Sequence, residues 1–146
     1  MARDVRLFLD SNVILSGLLS SKGAPKILLD LLSIEVPLLK GMTGRYNLDE
    51  IERNLAKRFP AILPVYQEYL PRMKLEIIDI PPFEAIKTLL EQMSPKDAPV
   101  LASAQLGKAD YLITGDKKGF PKELLKPMIG LNPTAFLNTV LPSLFH

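Results

Sequence analysis

The chain contains no cysteine. Disulfides, thiolate metal sites and a cysteine nucleophile are therefore excluded, and the composition suits a reducing cytoplasm. Histidine is almost as scarce, for the single one, His146, is the last residue. A Ser-His-Asp triad or a histidine-rich metal centre lacks its parts, which leaves acid–base chemistry to carboxylates, lysine or water. The net charge is only +2, too small to announce a nucleic-acid binder by itself. No uninterrupted apolar run approaches the ~20 residues of a membrane span. The opening "MARDVRLFLD" has acids inside any apolar core and no small-residue cleavage site, so it does not read as a signal peptide. Internal repeats, low-complexity runs and Ser/Gly linkers are also missing. What remains is the expectation of a soluble, cytoplasmic protein with no membrane partner.

What is present points to a globular fold. Hydrophobic residues make up 47% of the chain, and 146 residues suit one domain spanning 1–146 with a real core. "VRLFL" (5–9) reads as a buried strand, followed by helices in "NVILSGLL" and "APKILLDLLSIE". "VPLLK" (36–40) is expected as a second strand, weakened by Pro37. "NLDEIERNLAKRF" (47–59) has a helical apolar face at Leu48, Ile51 and Leu55. Residues 61–74 look helical but cut by Pro64 and Pro71, and "LEIIDI" (75–80) is strand-like. Helices are expected in "FEAIKTLLEQM" (83–93) and "APVLASAQLG" (98–107), with Gly107 as a stop. "DYLIT" (110–114) and "MIGL" are strands around the short helix "PKELL", and Asn132 caps a last helix. Strands alternating with helices predict a three-layer α/β/α sandwich around a mostly parallel sheet of about five strands, whose order is not readable.

Acids stand at the element ends. Asp10 follows "VRLFL" directly and Asp116 follows "DYLIT" by two residues. In an open parallel sheet, ligands bind at the carboxyl ends of the strands, so both acids fall on one edge. Glu50 lies early in the third helix, and Asp97 precedes "APVLASAQLG". Each has an ordinary explanation. Asp10 or Asn12 can cap a helix, Glu50 stands in capping-box spacing after Asn47, and Asp97 suits an N-cap. Helix capping does not explain their combination with apolar strands aimed at one edge. Converging carboxylates repel and raise one another's pKa, which a divalent cation relieves. An all-oxygen set without His or Cys points to Mg²⁺ or Mn²⁺ and to phosphodiester hydrolysis. Lys117, Lys118, Lys122 and Lys126, like Arg53, Lys57 and Arg58, form basic clusters that ordinarily mark solvated faces.

"LFLDSNVILSGLLSSKGAPKILL", "NLDEIERNL" and "DAPVLASAQLGKADYLITGDKKGF" resemble the PIN-domain nuclease family, in its order and spacing. "GLNPTAFLNTVL" resembles the ending of a branch associated with toxins. The resemblance covers essentially the whole chain, and its strength lies in four separated matches. It implies an α/β/α sandwich and a Mg²⁺- or Mn²⁺-dependent endoribonuclease leaving a 3′-hydroxyl and a 5′-phosphate. It also implies kinship with VapC-like toxins of toxin–antitoxin pairs, often homodimers inhibited by a small antitoxin protein. By position the four family acids are Asp10, Glu50, Asp97 and Asp116. Asp10, Asp97 and Asp116 would hold the essential ion, and Glu50 would bind a second ion or act as base. Glu50 is preferred over Asp49 and Glu52 because it precedes the "I-x-x-x-L" helix face. Ser11, Asn12 and Thr114 would orient carboxylates through hydrogen bonds. Asp110 matches a frequent accessory acid, although a strand-start residue explains it too. Lys117 and Lys118 could grip RNA phosphates or simply occupy an exposed turn. Residues 60–82 match no motif of the family. Two alternatives stay open: a non-catalytic PIN-like scaffold binding RNA or protein, and a phosphoaspartyl or receiver-like protein with Asp10 as nucleophile. Against the latter, Asn12 stands where a second acid is expected.

Overall fold

The computed structural model describes residues 4–145. Five strands form one sheet: β1 (Val5–Leu9), β2 (Leu39–Gly44), β3 (Glu76–Ile78), β4 (Tyr111–Ile113) and β5 (Ile129–Leu131). Their spatial order is β3-β2-β1-β4-β5. Every neighbouring pair is parallel, with Leu7 opposite both Gly41 and Tyr111. The α/β/α expectation holds. Parallel strands buried on both faces read as continuous apolar runs, and β1 alternates its own. Leu7 and Leu9 enter one core and Phe8 the other, all three fully buried.

The first core packs under α1 (Ser11–Leu19), α2 (Ala24–Ser33), α3 (Arg45–Arg58) and α4 (Leu63–Met73). It includes Phe136, from the terminal helical segment that starts at Asn132 and contains a π-turn over Phe136–Val140. Phe136 meets Tyr111 edge-on at 5.8 Å. The second core lies under α5 (Phe83–Leu89), α6 (Ala98–Leu106) and α7 (Lys122–Leu125). Helix α6 runs against the sheet with Ala98 to Ala104 all buried, as its small side chains allow. Among the described residues, no helix is long and apolar enough to cross a membrane.

Several local expectations need correcting. The second strand is Leu39–Gly44, not 36–40, because Glu35 and Leu38 adopt left-handed backbone angles (φ 54° and 71°) and turn the chain out of α2. Gly41 then permits a close approach: a Cβ there would lie 2.7 Å from Leu75 Cδ2 and 2.9 Å from Leu32 Cδ1. Residues 63–73 form one unbroken helix. Pro64 sits in its first turn, where no N–H is needed, and Pro71 in its last, just before the left-handed Lys74. Helix α3 begins two residues earlier than expected, capped by Gly44, so Asn47 lies inside the helix and no capping box with Glu50 exists.

Strand order turns the chain's direction into a site. From β1 the chain moves outward through β2 to β3, then returns to lay β4 on the opposite side of β1. Beyond the carboxyl ends of β1 and β4 lies the switch point, where parallel sheets open a crevice.

Candidate active site

Asp10 leaves β1 directly into that crevice. Its amide donates to Ile113 O (2.9 Å), stitching the end of β1 to β4, while its own carbonyl accepts the Val13 and Ile14 amides that start α1. Its side chain is buried, and both carboxylate oxygens are engaged. Oδ1 accepts the Ser11 amide at 2.7 Å and the Asn47 side-chain amide at 3.4 Å, and Oδ2 accepts the Thr114 hydroxyl at 2.8 Å. The ordinary capping explanation is therefore true of Asp10 as well.

Thr114, fully buried, links two acids: its hydroxyl donates to Asp10 Oδ2 and accepts the Asp116 amide at 3.1 Å. Asn12 holds the same loop from the other side, its Oδ1 accepting the Gly115 amide at 3.1 Å. Ser11 Oγ accepts from Asn47 Nδ2 at 2.9 Å. Ser11, Asn12 and Thr114 thus form a polar frame around the end of β1.

A cleft of about 200 Å³ opens above this frame. All four acids line it: Asp10 from β1, Glu50 from α3, Asp97 from the start of α6 and Asp116 after β4. Asp97 holds the N-cap position of α6, yet its side chain makes no cap hydrogen bond and its Oδ2 instead accepts the Ser94 hydroxyl at 3.1 Å. Glu50 faces the cleft, whereas Glu52 is turned away to accept the Tyr66 hydroxyl at 2.8 Å. Burial and the Glu52 bond both push the Tyr66 phenol up.

The electrostatics match crowded acids. Burial, first of all, holds the Asp10 carboxyl above its ordinary range; the Thr114 and Ser11 donors oppose this, and the Glu50 and Asp97 charges add to it. Among the described residues, no three acids stand close enough together to grip one ion as the chain is. Yet room has been left between them. A Cβ on Gly119 would fall 2.5 Å from Asp97 Oδ2 and 3.6 Å from Asp116 Oδ2, so both carboxylates converge on the space that this glycine vacates. The donors are all hard oxygens, the kind that suits Mg²⁺ or Mn²⁺. In kind the residues fit such an ion, and Asp97 and Asp116 already face one shared space.

Asp110 is not part of this cluster. It stands at the amino end of β4, on the opposite edge of the sheet, where its Oδ2 accepts the Arg6 amide at 2.8 Å. The accessory role expected of it is therefore withdrawn, because the length of β4 separates it from the cleft. Lys117 and Lys118 are exposed at the lip, in the 3-10 turn Lys117–Gly119.

Sequence reasoning missed three contributors. Asn47, fully buried, serves the frame, with its Oδ1 lacking any hydrogen-bond donor among the described residues. Asn54 and Lys96 line the cleft. Asn47, Glu50 and Asn54 follow one face of α3 at intervals of three and four, a polar stripe beside the apolar one of Leu48, Ile51 and Leu55 and visible in the sequence. Lys96 had no such signal.

Known structures share this architecture. VapBC2 from Rickettsia felis, bound to a DNA fragment from its promoter, superposes with a TM-score of 0.66 at 19% identity, over 88% of this chain and 98% of that one. FitAcB from Neisseria gonorrhoeae gives 0.63 at 19% identity, with the same coverage of both chains. A toxin–antitoxin complex from Klebsiella pneumoniae gives 0.65 at 22% identity, over 87% and 97%. At such identities the likeness speaks for the fold. No curated protein matches the sequence. A family model described as PIN domain matches residues 6–118, which include all four acids of the cleft, and the chain belongs to the PIN-domain family.

Proposed function

We propose that the chain is a metal-dependent endoribonuclease acting in the cytoplasm as the toxin of a toxin–antitoxin pair. The observation that supports this most is the meeting of four acids, distant in sequence, in one cleft at the sheet's switch point. Asp10, Asp97 and Asp116 would hold Mg²⁺ or Mn²⁺, with Glu50 available to a second ion. The ion would supply charge neutralisation and polarisation of the scissile phosphate. Glu50 would take a proton from the attacking water and orient it in line. The water oxygen bonds to phosphorus, the P–O3′ bond breaks, and O3′ leaves with the bonding pair and takes a proton from solvent, giving a 3′-hydroxyl and a 5′-phosphate. Thr114, Asn12, Ser11 and Asn47 would act by fixing the carboxylates, and Lys96 and Lys117 would attract the phosphate backbone.

A protein inhibitor fits the same reading. The similar Klebsiella chain is described in a toxin–antitoxin complex, and those from Rickettsia and Neisseria superpose over nearly their whole length. An antitoxin partner and a homodimer are accordingly proposed here as well. A non-catalytic scaffold is the competitor, favoured by the genuine capping role of Asp10.

Thermal unfolding of wild type and Asp10→Asn, with and without Mn²⁺, decides between them when paired with an RNA-cleavage assay. A ligand that binds only the native state at 100 times its Kd stabilises by about 2.7 kcal/mol. A Mn²⁺-dependent rise in Tm and cleavage, both lost in Asp10→Asn, are expected. Indifference to the ion and no cleavage would leave the scaffold standing.

A further inference from the structure

A second and larger cavity, about 470 Å³, lies beside the acid cleft and has no part in the proposed hydrolysis. Its walls are strongly apolar, with Phe120, Leu125 and Met128 buried around it. Its rim is cationic: Lys117, Lys122 and Lys126 border it, all exposed. Lys126 pairs with Glu123 at 3.3 Å. Among the described residues, no ion pair engages Lys117 or Lys122.

The fold explains the opening. Near its β5 edge this side of the sheet is packed by the single-turn α7. Gly130, in register with Leu112, leaves the floor without a side chain; a Cβ there would stand 2.9 Å from Leu125 Cδ1. One loop separates this cavity from the acids. Thr114 borders the cavity while its hydroxyl holds Asp10, and Gly119 abuts Asp97 and Asp116 immediately before Phe120 enters the apolar wall.

We propose that this cavity receives one unpaired nucleobase of the RNA strand whose scissile phosphate lies in the acid cleft, an assignment that rests on the nuclease reading. Its volume falls within the ~300–1,000 Å³ of small-molecule sites. A base offers a flat apolar face to the walls, and the phosphates on either side of it meet the lysines. An apolar peptide side chain would suit the walls but would leave the cationic rim unused. Because the base must leave any stack to enter, the substrate is single-stranded.

The test is binding rather than turnover. A short fluorescent single-stranded RNA is titrated in EDTA against wild type, Gly130→Val and Lys122→Glu, and against the same RNA carrying an abasic nucleotide at each position in turn. Gly130→Val narrows the cavity, its Cβ pushing Leu125 Cδ1 aside, so its Tm and circular dichroism are measured first; Lys122→Glu changes an exposed residue at the start of α7. Removal of one base, at one position, should weaken wild-type binding ~5- to 100-fold. Gly130→Val should bind intact RNA that much more weakly and no longer notice the missing base, and Lys122→Glu should show a shallower salt dependence. A flat abasic scan, no RNA binding by wild type, or unchanged affinity in a folded Gly130→Val would overturn the subsite, the last assigning the cavity to a protein side chain instead. Cleavage is assayed separately with Mn²⁺. A single-base dependence without cleavage upholds the subsite and rejects the nuclease, whereas cleavage with a flat scan does the reverse.

Discussion

Thr114→Val is the sharpest probe of how the site is held. The substitution keeps the shape of a fully buried side chain and removes only its hydroxyl. That hydroxyl makes two bonds, donating to Asp10 Oδ2 at 2.8 Å and accepting the Asp116 amide at 3.1 Å. Asp10 is already crowded by burial and by two neighbouring acids, so it can ill spare a donor. Hydrogen bonds to charged groups contribute ~1.5–3 kcal/mol, and the exposed loop lets water replace part of the second bond. A loss of about 2 kcal/mol is therefore expected, which for a domain near this size lowers Tm by about 4–8 °C. Differential scanning calorimetry in EDTA, at neutral pH, measures it directly. Thr114→Ser should recover most of the loss, since it restores the hydroxyl. In an Asp10→Asn background the penalty should shrink, giving a non-zero coupling in the double-mutant cycle. A Thr114→Val protein melting within a degree of wild type would refute the account of Thr114 as the tie between the acids.

Four further outcomes are expected. Glu50→Gln should slow RNA cleavage ~100-fold or more, as loss of a general base does, while Glu52→Gln, which faces Tyr66, should stay near wild type; equal losses in single-turnover rates would show the wrong acid was chosen. Gly119→Ala should cut Mn²⁺-supported cleavage ~10-fold or more at unchanged fold content, because its Cβ displaces the Asp97 carboxylate; full activity would deny that this space matters. Asp110→Ala should leave cleavage within about two-fold yet lower stability by about 1 kcal/mol or more through loss of its bond to the Arg6 amide, separable by assaying rate and Tm together. The Lys26 hydrogen bond first, and the Tyr69 hydroxyl second, hold the Asp30 carboxyl below its ordinary value of 3.8. A depressed folded pKa gives stability that is present above 3.8 and lost as pH falls through the lower folded value. Asp30→Asn should accordingly cost less than ~1 kcal/mol at neutral pH, given the exposure of the pair, and its curve should converge on wild type in acid melts.

What the sequence made legible is what local chemistry decides. The apolar run of β1, the acid at its end and the alternation of elements rest on periodicity within a few residues. Asp10, Glu50, Asp97 and Asp116 could be picked because their element ends were recognisable, and the structure does bring them to one cleft. The β2 strand was expected too early, at 36–40, because Gly41 and Gly44 lower strand propensity, and only the approach of Leu32 and Leu75 explains Gly41. Asn47 looked like a cap because Asn usually is one, but α3, capped by Gly44, had already started at Arg45, two residues before it. Asp110 and Asp116 flank the same strand and look alike in sequence; which end of β4 carries the crevice depends on strand order, a non-local property. The cavity over β5 depends on how little α7 covers, and no residue pattern announces that.

The seam between β1 and β4 also sets a timetable. Asp10, Glu50 and Asp97 have all been synthesised before Thr114 leaves the ribosome, yet until β4 arrives β1 is an edge with nothing beyond it on that side. The Asp10 amide then has no Ile113 carbonyl to bond, and its carboxylate has no Thr114 hydroxyl. On the proposed nuclease reading, the translating message would be the nearest potential target. On that reading, completing the site with the last inner strand would keep the half-made chain harmless while that message is still threaded beside it.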